Sequence, residues 1–114
     1  MTHIYKIISQ SEWRAAEAAG LFSGAAVDLV DGFIHFSAAD QVEETAARYF
    51  AGQTDLLLVA VNAAALGEAL RWEVSRGGAL FPHLYAPLPL EAVTRVDPLH
   101  LGADGQHDFS AVLE

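Results

Sequence analysis

Six consecutive aliphatic residues, Leu56-Leu-Leu-Val-Ala-Val61, place the tightest limit on how this chain can fold. The run is too short for a buried helix and lacks polar alternation, so it reads as a β-strand covered on both faces, central to its sheet. The rest of the chain must then supply apolar layers above and below that strand.

The flanking segments carry patterns that do so. Residues 3–8 read as a first strand, with Ile4 and Ile8 on one face and His3, Tyr5 and Ile7 on the other. Ser9 with Glu12 three residues later makes a capping box for a helix, Ile8 staples onto Trp13, and Gly20 fits the helix end. Residues 21–30 have two apolar patches around Ser23-Gly24 and fit either a loop or a short helix. Asp31-Gly32 supplies a turn into a strand over 33–37, and residues 38–51 read as a helix with Ala39, Val42, Ala46, Tyr49 and Phe50 on one stripe, closed by Gly52. Residues 63–69 read as a connector or one helical turn around Gly67. Residues 70–75 alternate, with Leu70, Trp72 and Val74 expected inward and Arg71, Glu73 and Ser75 opposite. Arg76-Gly-Gly78 turns into a strand over 81–85, which Pro87 and Pro89 mark as an edge or a corner. One helical turn over 90–93 and a short strand over 93–96 follow. The core thus spans about residues 3–97, and residues 98–114 read as a surface tail that docks through Phe109, Val112 and Leu113.

Bulk properties exclude several functions. At 114 residues, 53% hydrophobic and 18% charged, the chain suits one globular α/β (α+β) domain with small mixed or antiparallel sheets and two main helices. A net charge of −9, with the six basic residues scattered, opposes general nucleic-acid binding, though Arg71 with Arg76 can hold one small anion. Without cysteine there is no thiolate metal site and no thiol nucleophile. No signal-peptide pattern and no run long enough to span a bilayer are present, so a soluble cytoplasmic protein is the default expectation. Oligomeric state is not readable.

The residues with chemical potential cluster on strand faces. In Asp31-Gly-Phe-Ile-His-Phe-Ser37, alternation sets Phe33, His35 and Ser37 on one face; in Phe81-Pro-His-Leu-Tyr85 it sets His83 and Tyr85 together. Imidazoles beside hydroxyls and aromatic rings suit acid–base work or ligand orientation, so His35 and His83 are expected in one pocket; each also fits a hydrogen-bonded core histidine. Ser37 with Asp40 fits a capping box for the second helix, and its hydroxyl proton stays available to a ligand. Glu73 is the best candidate carboxylate, because an acid in mid-strand is not merely a solvated helix surface; serving a ligand, it would stand unpaired in a dry cleft, whereas a structural Glu73 would be an exposed acid or an ion-pair partner of Arg71 or Arg76. No close spacing of metal ligands is present, so no metal is expected.

Together, Ile4-Tyr5, the Trp13 helix, the Asp31–Ser37 stretch with Gln41 following, the 56–61 strand, Trp72-Glu73 and Phe81-Pro-His-Leu-Tyr-Ala-Pro-Leu88 resemble the small bacterial family called domain of unknown function 952, over residues 4–96. That family is grouped with the ADP-ribosyltransferase-like superfamily. The resemblance implies two small sheets bracketing a cleft shaped for NAD, and a first-strand His or Arg, a later Ser or Tyr, and a Glu acting on NAD; here these roles fall near His3, near Ser37 and at Glu73. RNA 2′-phosphotransferases in the same superfamily use Arg and His residues instead. The expectation is a domain that binds NAD or a related nucleotide, with Glu73 and His35 catalytic and His3, Ser37, His83, Tyr85 and Arg71 contacting ligand. NAD is the candidate substrate and no resident cofactor is expected. The alternative is a non-catalytic module that binds a small metabolite or a protein in the same cleft.

Overall fold

The computed structural model describes residues 2–110 and 112–113. In chain order the elements are β1 (His3–Ser9), α1 (Gln10–Ala19), β2 (Leu21–Phe22), α2 (Ala26–Asp31), β3 (Ile34–His35), β4 (Ser37–Ala38), α3 (Val42–Tyr49), β5 (Leu56–Asn62), β6 (Leu70–Val74), β7 (Leu80–Leu84), β8 (Leu88–Pro89) and β9 (Val93–Leu99). Short 3-10 turns link β5 to β6, β6 to β7 and β8 to β9. All strand pairings are antiparallel, in a four-stranded sheet β4-β1-β5-β9, a three-stranded sheet β3-β7-β6 and a two-stranded ribbon β2-β8. The result is a small α+β domain. Among the described residues no helix is long and apolar enough to cross a membrane.

The aliphatic run lies where its composition demands. β5 sits between β1 and β9, and its alternate residues feed two different cores. Val59 and Val61 pack with Ile4, Ile8, Trp13, Phe22, Ile34 and Leu84 on one face of the large sheet. Leu56, Leu58 and Ala60 pack on the other with Tyr5, Ile7, Val42, Ala46, Leu99 and Phe109. The C-terminal segment therefore does dock: Phe109 is buried in this second core, with Val112 and Leu113 packed against it. β9 is longer than expected, running to Leu99 as an edge strand.

α1 follows its sequence signals. Ser9 accepts a hydrogen bond from the Glu12 amide at 3.2 Å, and Gly20 ends the helix at φ 80°. Ser9→Ala is expected to lower stability by about 1 kcal/mol; an unchanged chemical-denaturation midpoint would remove the cap from the account.

Several expectations fail for reasons that lie outside the local sequence. Ser37 does not cap a helix, because Ser37 and Ala38 are extended in β4 and pair with Tyr5 and Ile4. The helix begins only after the turn over 39–41, at Val42, with Gln41 in the cap position and no side-chain cap bond, and it ends at Tyr49 before Gly52. The strand over 33–37 is split between two sheets. Phe36 donates its amide to the Pro82 carbonyl at 3.0 Å, but Pro82 has no N–H to return, so the ladder with β7 ends there and the chain crosses to β1. β7 is the centre of its sheet, not an edge; Pro87 and Pro89 lie beyond it, at the corner leading to β8 and within it. Leu70 packs against the first core as expected, but the rest of β6 faces the other way: Trp72 is 42% and Val74 72% exposed, while Arg71 and Glu73 share the face of His83. Residues 21–30, readable either way, form β2 and α2.

Candidate functional site

A cavity of about 580 Å³ opens where the large sheet meets the three-stranded sheet. Its walls include Tyr5, Lys6 and Ile7 of β1, Asp31 of α2, His35 of β3, Ser37 of β4, Thr45 and Tyr49 of α3, Arg76, and Phe81 and His83 of β7. Strand register explains the gathering. His35 pairs directly with His83 across β3 and β7, and their rings stand 5.6 Å apart. Phe33 stacks on His83 at 4.1 Å and also contacts His35 and Tyr85, which holds the two imidazoles in one aromatic cluster.

Beneath His35 lies a buried ionic network. Lys6, in the middle of β1, donates to Asp28 Oδ1 and to the His35 carbonyl at 3.0 and 2.9 Å. Asp28, at the start of α2, accepts in addition from the Ala25 amide at 2.7 Å, the His35 amide at 3.1 Å and the His35 ring Nδ1 at 2.6 Å. Burial by itself would raise the Asp28 pKa; the His35 hydrogen bond, the Lys6 charge and the two amides outweigh it and bring the carboxyl down to about 2. Burial pulls the Lys6 ammonium below its usual value, with Asp28 opposing that shift. The other His35 nitrogen, Nε2, meets Asp31 at 2.9 Å.

His83 is held from the opposite side. Glu73 Oε1 contacts His83 Nδ1 at 2.8 Å and accepts from the Tyr85 hydroxyl at 2.6 Å. The Tyr85 bond, then the His83 bond, hold Glu73 below the usual carboxylate range, and Glu73 in turn raises the Tyr85 phenol. Arg71 lies over the Tyr85 ring at 5.1 Å. Glu73 is therefore a partnered acid, which corrects the expectation of an unpaired one; it stands behind His83 and is not among the cavity-lining side chains.

Arg76 also lines the cavity, beside Phe81. Its guanidinium lies over the rings of Phe81 and Tyr49 at 4.8 and 5.4 Å and donates to Thr45 Oγ1 at 3.2 Å. Thr45 also bonds the Ser37 hydroxyl at 2.9 Å, so a cation and two hydroxyls adjoin. Among the described residues no group of acids and histidines is placed to hold a metal ion.

Of the residues singled out from the sequence, His35, Ser37 and His83 line the cavity, Glu73, Tyr85 and Arg71 form a relay on its outer side, and His3 stands apart. His3 starts β1 opposite Asn62, half-buried and outside the cavity lining. Lys6, Asp28 and Asp31 went unrecognised as site residues. Lys6 did carry a signal, a charge in an isoleucine-rich strand, since such a group is kept only where a partner meets it; its partner lay in the segment that could be read two ways.

Solved structures of one bacterial protein are similar to this chain. The crystal structure of protein CC0527 from Caulobacter crescentus is similar at 58% identity, with a TM-score of 0.94 over 98% of both chains. The solution NMR structure of CC0527 gives 58% identity and a TM-score of 0.88 over 100% of both chains. No curated protein matches the chain. The family described as "Protein of unknown function (DUF952)" matches residues 7–96, and the chain belongs to it.

Proposed function

We propose that this chain is an ADP-ribosyltransferase-like domain that binds NAD or a related nucleotide in the cavity and cleaves or transfers at the nicotinamide ribose. One observation carries the reading: two imidazoles, each buttressed by a carboxylate, line a cavity that also holds a guanidinium over two aromatic rings. Aromatic and imidazole surfaces suit a planar base, and the Arg76 guanidinium suits phosphate oxygens. The volume falls within the range of small-molecule sites. The position of the cavity between two small sheets supports the reading. The Arg-and-His lining is nearer to the pattern of the RNA 2′-phosphotransferases than to a His-Tyr-Glu triad.

The test is a thermal-shift panel followed by incubation. NAD and ADP-ribose are expected to raise the melting temperature, and NAD is expected to release nicotinamide on standing. Bound NAD that stays intact selects the non-catalytic binding module, and no shift with any nucleotide rejects the reading.

A further inference from the structure

The two imidazoles that face the cavity differ in which nitrogens are occupied. His35 has both engaged by carboxylates, Nδ1 by Asp28 and Nε2 by Asp31, and carboxylate oxygens only accept, so both contacts are hydrogen bonds only when both nitrogens carry hydrogen. His83 is engaged at Nδ1 alone, by Glu73. Glu73 is ionised, so His83 Nδ1 must be the donor, which leaves the lone pair on Nε2. His83 lines the cavity, and among the described residues no group bonds that nitrogen. Among the described residues the one buried side-chain polar atom sealed from solvent without a partner is Trp13 Nε1, so unpartnered Nε2 of His83 is not sealed, although the side chain is only 7% exposed. The titratable or charged groups facing His83 are Glu73 and Arg71 on β6, Tyr85 beyond β7, and His35 on β3 with Asp28 and Asp31 behind it.

We propose that His83 Nε2 is the proton acceptor of this cavity, that Glu73 is a positioning residue fixing its tautomer, and that His35 belongs to the scaffold. The assignment rests on reading the cavity as a site of attack at the nicotinamide ribose. In that step a water or acceptor hydroxyl gives its proton to His83 Nε2 as its oxygen bonds C1′. The C1′–N bond breaks, and its electron pair neutralises the pyridinium nitrogen as nicotinamide leaves. The imidazolium formed is stabilised by Glu73 and returns its proton to solvent.

Diethyl pyrocarbonate, which acylates an imidazole through a free lone pair, tests the assignment on the intact chain without substrate. Peptide mapping by mass spectrometry is expected to find His83 acylated well ahead of His35, and more slowly in Glu73→Gln. His35 reacting at the same rate or first overturns the proposal. With NAD as substrate, His83→Gln is expected to lower kcat by about 10²–10⁴-fold with KM little changed. Glu73→Gln is expected to lower kcat, because the imidazolium formed in the step loses its counter-charge. A higher KM at unchanged kcat would make His83 a binding group and also overturns the proposal. If the wild-type protein releases no nicotinamide, the reading as an NAD-cleaving site fails, and the order of acylation alone decides His83.

Discussion

Asp28→Asn is expected to destabilise the protein by about 3–5 kcal/mol, the range for breaking one side of a buried ion pair. Asp28 is 1% exposed and Lys6 8%, so water cannot replace what is lost. The amide keeps the shape of the carboxylate but removes its charge, and it turns a donor toward a site already crowded with the Lys6 ammonium, the His35 ring and two backbone amides. Against a total stability of about 5–15 kcal/mol for a domain of this size, the melting temperature should fall by more than about 10 °C. Lys6→Met should cost less, since His35 and the two amides still hold the carboxylate and the thioether suits an aliphatic strand. Acid should report the same group. The folded-state pKa of Asp28 lies below its unfolded value, so its contribution is complete above the ordinary carboxylate range and is lost as pH falls toward about 2. A loss of less than about 1 kcal/mol for Asp28→Asn would mean that the network is solvated and contributes little.

Arg76→Met is expected to weaken binding of ADP-ribose or NAD by about 10- to 100-fold, the equivalent of roughly 1.5–3 kcal/mol for lost charge-assisted hydrogen bonds. Methionine retains a flexible apolar stem to lie against Phe81 and Tyr49, so packing is largely preserved. Folding should hardly change, because the ion pair to Glu44 is long, at 3.6 Å, and on an exposed partner. Nicotinamide riboside, which lacks phosphate, should bind the variant and the wild type alike, and the wild-type affinity for ADP-ribose should fall with added salt. Calorimetry that finds ADP-ribose affinity within twofold of wild type would move the phosphate contact away from Arg76.

Much of this architecture is legible because it depends on local period and local caps. The 56–61 run announces a strand covered on both faces, and Ser9 with Gly20 brackets α1. The meeting of His35 and His83 also follows from alternation, since each lies on the polar face of its strand. The failures share a different cause. Alternation in β6 defines two faces but not which of them turns inward; the hydrogen bonds of Glu73 to His83 and Tyr85 hold the polar face toward the rest of the molecule and leave Trp72 and Val74 outside. The break at Phe36 is caused by Pro82, far along the chain, and the partner of Lys6 lies 22 residues away in a helix that local pattern barely signals. Ser37 looks like a helix cap only until Tyr5 claims its backbone.

That break at Phe36 also governs how a ligand can enter. His35 belongs to one sheet and Ser37 to the other, so the two walls of the cavity are joined by a single residue whose own side chain is buried in the core. Lys6 ties the same walls a second time, reaching from β1 to the His35 carbonyl. Hinged closure would have to bend the chain at Phe36 and break that tie, and Arg76, held over Phe81 and Tyr49 and bonded to Thr45, adds a further fixed point in the turn between β6 and β7. Association should accordingly be one concentration-dependent step in a preformed cleft, with selectivity set by side chains and not by the shutting of a lid.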